Sequence, residues 1–145
     1  ELQSYFPAGH DPDHYEILND FIPVESVADL FQRSAITVLP YIESSQSGVA
    51  ALSYGMGRPV VASNVNGLSE MVRHGSDGLL VPPQNVEALA EAIIYILSDP
   101  ARQSQMQAAA QGSAETDLNW AVIAGQTAEL YQRVCNPDRQ IIRSY

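Results

Sequence analysis

The segment Pro40-Tyr41-Ile42-Glu43-Ser44-Ser45-Gln46-Ser47-Gly48 carries more potential chemistry than any other stretch of this chain. It is largely small and polar, and it leads straight into a helical pattern. Free N–H groups at a helix start, aided by the helix dipole, form an anion site. Gly48 lets a phosphate approach the backbone closely. The serine hydroxyls and the Gln46 amide can orient the hydroxyls of a sugar. The competing reading is an ordinary strand-to-helix turn with capping serines, since helix starts are far commoner than anions bound at them. Glu43 could hydrogen-bond a sugar hydroxyl or support developing positive charge. Taken alone, it reads first as a solvated loop carboxylate.

A second loop runs Ser63-Asn64-Val65-Asn66-Gly67-Leu68-Ser69-Glu70. Here Gly67 is expected to supply a backbone with φ > 0, and Glu70 a carboxylate in a first helical turn. For both, a structural role near the site is the stronger reading. Other features fall away. Gly55-Met56-Gly57 lacks the third glycine of a dinucleotide fingerprint and ends a helix instead of following a strand. His10, His14 and His74 have no second His or Cys at metal-ligand spacing in the sequence, so no metal is expected. No nucleophile-elbow sequence surrounds Ser47. Trp120 and Tyr131, at helical spacing, read as core.

These loops need elements to hold them. Short β-type runs alternate with helical patterns. Tyr15 to Ile22 reads as a strand closed by Pro23, and 25–34 as a helix with Val27, Leu30 and Phe31 on one face. Strands follow at 36–40, 59–63 and 78–81, with helices at 48–57 and 68–73 between them. Asn85 is a plausible N-cap for a helix striped by Leu89, Ile93 and Ile96. Helical stretches at 101–111 and 118–134 complete the pattern. In the last of these, Trp120, Ala124, Thr127 and Tyr131 share a face. Strand and helix at this pitch imply an α/β fold with a parallel sheet. Ligands of such sheets bind beyond the carboxyl ends of the strands, which selects the loops at 22–25, 40–48 and 63–68.

Composition sets the outer bounds. The 145 residues suit one domain. Seventeen acidic residues face seven basic ones, all arginines, for a net charge of −10. Such a chain is a poor nucleic-acid binder and a poor ligand for an anionic membrane surface. Cys135 is the single cysteine, so no internal disulfide forms, which fits a reducing, cytoplasmic setting. No apolar run approaches the ~20 residues that span a bilayer, so no transmembrane segment is expected.

Residues from about 18 to 131 resemble the C-terminal, nucleotide-sugar-binding domain of family-four (group 1) glycosyltransferases, of GT-B architecture. The resemblance rests on Gly57-Arg58-Pro59-Val60-Val61-Ala62-Ser63, then Asn66-Gly67-Leu68-Ser69-Glu70, then Asp77-Gly78-Leu79-Leu80-Val81-Pro82-Pro83. Phe21-Ile22-Pro23, Val38-Leu39-Pro40-Tyr41, Trp120 and Tyr131 fall in the family's order. The resemblance implies a Rossmann-like, doubly wound sheet forming half of a GT-B fold. It also implies a nucleotide-diphosphate sugar as donor, transfer with retention, and no metal or other cofactor. Gln46, Ser47, Gly48 and Val49 would hold sugar and diphosphate, Glu43 would lie near the sugar as the catalytic acid residue, and Ile22 and Pro23 near the base.

Two departures from the family pattern stand out. The usual glutamate pair, eight positions apart, falls on Ser44 and Leu52, and the chain is closer to an E-A-S-Q-S-G-V variant. The family's diphosphate-binding Arg and Lys lie in a first strand-helix unit that nothing here matches. The resemblance therefore implies a domain truncated at its N-terminus, with residues 1–14 (including Ala8-Gly9-His10) as a remnant, 15–134 as the donor-binding domain and 135–145 as a tail. The acceptor-binding N-terminal domain would be absent, and this piece alone inactive. In a strand order of 3-2-1-4-5-6, loss of the first strand leaves 36–40 with an open apolar edge. That edge would be a gap, a site of rearranged pairing with 15–22 or 2–6, or a place for self-association. Two other functions stay open: a non-catalytic sugar-nucleotide-binding or assembly subunit that needs a partner chain, and a sugar-nucleotide epimerase of the same architecture.

Overall fold

A computed structural model describes residues 14–135. The first described element is α1, Val24–Arg33, entered from Pro23 and carrying Glu25 in its first turn. The Arg58 side chain terminates it: Nε donates to the Phe31 carbonyl at 2.8 Å and a terminal nitrogen to that of Gln32 at 3.2 Å. A cation on the last carbonyls of a helix also complements its dipole. Next come β1 (Thr37–Leu39), α2 (Gly48–Gly55), β2 (Val60–Ser63), α3 (Asn66–Met71) and β3 (Gly78–Val81). The chain then forms α4 (Val86–Leu97), α5 (Pro100–Thr116) and α6 (Trp120–Cys135).

The three strands make a parallel sheet in the order β1-β2-β3. Thr37 pairs with Val60, and Val60 with Gly78. Every residue of β2 is buried, as expected for an apolar strand covered on both faces. The period of two sends Val60 and Ala62 to one face, with Leu39, Tyr54, Leu68 and Ala110. It sends Val61 to the other, with Leu79, Val81, Ala92, Ile96 and Met106. Each fully buried Val or Ile contributes roughly 1.5–3 kcal/mol. Gly78 permits the β2–β3 approach, since a Cβ there would stand 2.3 Å from the Val60 carbonyl oxygen.

The strand expected at Tyr15–Ile22 does not form. Residues 15–23 have no regular secondary structure, and Phe21 is 91% exposed. None of the three strands pairs with it. Among the described residues the outer edge of β1 is unpaired, so of the outcomes expected beside residues 36–40 the rearranged pairing with 15–22 does not occur. The alternative pairing with 2–6 lies outside the described residues, as do the expected remnant at 1–14 except His14 and the expected tail at 135–145 except Cys135. α5 runs past the expected residue 111 to Thr116, started by Asp99, whose carboxylate accepts from the amides of Ala101 and Arg102. The face of α6 expected to be core is not: α6 has no buried residue, and Trp120 and Tyr131 are both exposed.

Candidate functional site

Parallel strands put the loops after β1 and β2 at one edge of the sheet, the carboxyl edge. There the two loops touch. The Gly67 amide donates to the Ser44 carbonyl at 3.2 Å. A Cβ on Gly67 would stand 1.8 Å from the Ser45 carbonyl oxygen and 2.9 Å from the Gln46 nitrogen. Gly67 is thus required for close approach of two backbones. The expected positive φ is not its reason; among the described glycines that belongs to Gly57 and Gly75.

Ser47 caps α2, its hydroxyl accepting from the Ala50 amide at 3.2 Å. The capping reading of this serine is therefore realised, and the residue also lines a cleft. Gln46, Ser47, Gly48, Gly67 and Glu70 all line that one cleft of about 580 Å³, together with Met71, Leu118, Trp120 and Ile123. Apart from its chain neighbours and its own helix backbone, nothing lies within 4 Å of a Cβ built on Gly48. Glu70 sits late in α3, not in its first turn. Glu43 and Val49 are exposed beside the cleft without lining it. Ile22 and Pro23 line a separate hollow against α1, with Ser26, Asp29, Leu30 and Arg33.

Sequence reasoning missed the floor of the cleft. Asp77 is fully buried and accepts from the Tyr54 hydroxyl at 2.8 Å, the Ser113 hydroxyl at 2.7 Å and the Arg73 amide at 2.8 Å. Arg73 also donates to Ser113 Oγ at 2.7 Å and pairs with Asp117. One carboxylate thereby ties α2, the turn after α3 and α5 together. Burial and the Asp77 hydrogen bond push the Tyr54 phenol far above the ordinary tyrosine range. Tyr54, Ser113 and Asp117 also line the cleft. The available signal was a tyrosine and a serine inside otherwise apolar or small helical patterns, but their shared partner is 23 and 36 residues away.

A parallel sheet covered on both faces, with a cleft at its carboxyl edge beside a helix start, defines an α/β ligand-binding domain of the Rossmann-like kind. The chain belongs to the glycosyl transferases group 1 family, whose model matches residues 6–99. It is 33% identical over 111 residues to a glycogen synthase of Mycobacterium tuberculosis, covering 77% of this chain and 27% of that protein. It superimposes on the sucrose-phosphate synthase of Thermosynechococcus elongatus with a TM-score of 0.70 and 35% identity, covering 78% of this chain and 28% of the other. The Anabaena protein HepE, solved in complex with UDP, gives a TM-score of 0.66 at 25% identity over 71% of this chain and 29% of its own. The fold is thus part of a GT-B glycosyltransferase fold, and the chain spans about a quarter of the length of these relatives. Among the described residues, no helix is long and apolar enough to cross a membrane, and no cluster of His, Cys, Asp or Glu could hold a metal ion.

Proposed function

We propose that this chain is the donor-binding part of a retaining glycosyltransferase, which moves a sugar from a nucleotide-diphosphate sugar to an acceptor. The observation that carries the reading is the turn Gln46-Ser47-Gly48, which enters α2 at the carboxyl edge of the sheet and lines the cleft. The backbone amides at Ser47, Gly48 and Val49 and the positive end of the α2 dipole hold the diphosphate. Gln46 orients the sugar, and Glu43 stands near it. Ile22 and Pro23 flank the base, while Gly67 and Glu70 shape the site. No metal takes part. HepE, solved with UDP, supports a uridine nucleotide as the first donor to test.

The assembly-subunit reading is favoured by one observation. Glu70 and Asp117, the charged residues that line the cleft among the described residues, are both acidic, Asp117 is paired with Arg73, and the chain has no lysine. A partner supplying cations would complete the diphosphate site. The chain alone is therefore expected to bind nucleotide sugars weakly and to transfer none. Losing one charged hydrogen-bond partner costs ~1.5–3 kcal/mol, or roughly ten- to a hundredfold in affinity. Calorimetric titration with UDP-glucose tests the site, with Gly48→Ala as the probing variant. Its Cβ enters open space, so the fold is retained while a phosphate is held off. Unchanged affinity in Gly48→Ala would remove the diphosphate from this turn.

A further inference from the structure

The two outer strands of the sheet do not present the same edge. Among the described residues the outer edge of β1 is open, whereas β3 carries its own cover. The Val60 and Asn64 amides donate to the carbonyls of Asp77 and Val81, so the odd-numbered residues of β3 face β2. By alternation Gly78 and Leu80 turn their backbone groups outward, to a side where no described strand pairs. The turn between α3 and β3 folds back over them. His74 forms an isolated parallel bridge with Gly78, and the Gly75 amide donates to the Gly78 carbonyl at 2.8 Å. Two residues further along β3 a side chain takes over from the backbone: the Leu80 amide donates to Nδ1 of His74 at 3.0 Å. A bare edge strand is a template for another chain, and covering it with a loop is one remedy. Here the last part of the cover is an imidazole nitrogen.

A ring nitrogen accepts a hydrogen bond only while it carries no proton, and in an imidazolium both nitrogens are donors. Histidine is the side chain that ordinarily changes charge between about pH 5 and 8. The other charged groups around the turn are engaged elsewhere. Arg73 donates to Ser113 and pairs with Asp117, and Asp77 accepts from Tyr54, Ser113 and the Arg73 amide. Gly75 and Ser76 line a hollow with the end of α4 and the start of α5, where Asp99 pairs with Arg102 at 3.2 Å and Arg102 lies over the Tyr95 ring. We propose that His74 is a proton-operated seal on the sheet: the neutral imidazole covers the β3 edge, and protonation uncovers it to a second copy of this chain. Once released, the N–H and C=O of Leu80 can be exchanged with the same two groups of a second copy, as in a hydrogen-bonded antiparallel pair. One open edge, on β1, lets copies join only as closed pairs. A second open edge lets those pairs join into larger assemblies.

The test is sedimentation velocity of the whole chain at about pH 7.5 and about pH 5.5, in the same raised salt, so that His74 changes charge while repulsion between chains stays screened. The unsubstituted chain is expected to stop at pairs at the higher pH and to form larger species at the lower. His74→Asn offers an amide oxygen that accepts at either pH, and is expected to stop at pairs in both. His74→Ala removes the acceptor, and is expected to form larger species in both. Nitrogen-15 spectra at the higher pH, with the His74 signals identified by their loss in His74→Asn, are expected to place the ring proton on Nε2. A proton on Nδ1, or an unsubstituted chain whose assembly ignores pH, would overturn the proposal. So would His74→Ala that stops at pairs at the higher pH. Acid-driven growth of His74→Asn equal to that of the unsubstituted chain would assign the effect to the falling net charge and overturn it as well.

Discussion

Asp77 is a carboxylate without exposed surface, held by three donors from three parts of the chain. Removing it strands the buried Tyr54 hydroxyl and deprives Ser113 of its acceptor. Asp77→Ala is therefore expected to cost about 2–4 kcal/mol, read as a lower urea midpoint at constant slope. Asp77→Asn keeps the shape but aims an amide donor at groups that are already donors, so it recovers only part of the loss. The half-exposed Arg73–Asp117 pair is worth much less. Tyr54 adds a pH dependence whose sign follows from its raised pKa. The folded state holds the phenolic proton more tightly than the unfolded chain does. Its contribution is fully present below the ordinary value of 10.0 and is lost progressively as pH rises above it. In an alkaline titration followed by phenolate absorbance, Tyr54 is expected to ionise only together with unfolding. A tyrosine signal that reaches its full amplitude in the folded protein would contradict this.

At the level of elements, what could be read from the chain divides along physical lines. The strands at 36–40, 59–63 and 78–81 were legible because apolar β-type runs ended by Pro40, Ser63 and Pro82 have few other solutions. The cap at Asn85 was legible because capping is local, and its side chain does accept from the Ala88 amide. The run at 15–22 has the same local pattern but pairs with none of the described strands, and pairing is a tertiary outcome that no local pattern reveals. Likewise the turn at 46–48 could be picked from its sequence, whereas the walls of its cleft come from α3, α5 and α6 and depend on the tertiary fold. Gly67 shows the difference in one residue: its identity was noticed, and its reason, the carbonyl of Ser45, lies on another loop. Gly67→Ala is expected to push the two loops apart and to cost about 1–3 kcal/mol, more if they cannot yield. Gly48→Ala, measured beside it by thermal unfolding, is expected to be neutral or slightly stabilising, because its Cβ meets nothing and glycine is a poor helix residue.

For the molecule as a whole, the open edge of β1 is the feature with the largest consequence. The Thr37 amide donates to the Pro59 carbonyl, so Thr37 faces β2. Alternation then turns the N–H and C=O of Val38 outward, toward the side on which no described residue pairs. An unpaired edge with apolar residues is a template for another strand. The exposed Leu130, Tyr131 and Val134 of α6 add apolar surface that burial elsewhere does not claim. Against association stands the net charge of −10, which repels like chains at low salt and is screened at high salt. The chain is therefore expected to self-associate with increasing concentration, and more strongly as salt is raised, in sedimentation velocity. Val38→Pro separates the edge from the α6 surface. It removes the outward N–H without touching a bond to β2, as proline on an edge strand permits. Its cost in stability is the modest packing of a half-buried side chain against Val61 and its neighbours. If the edge drives association, Val38→Pro remains monomeric at concentrations where the unsubstituted chain does not, while Leu130→Glu leaves association largely intact. The reverse pattern would assign association to α6 and leave the β1 edge protected by charge alone.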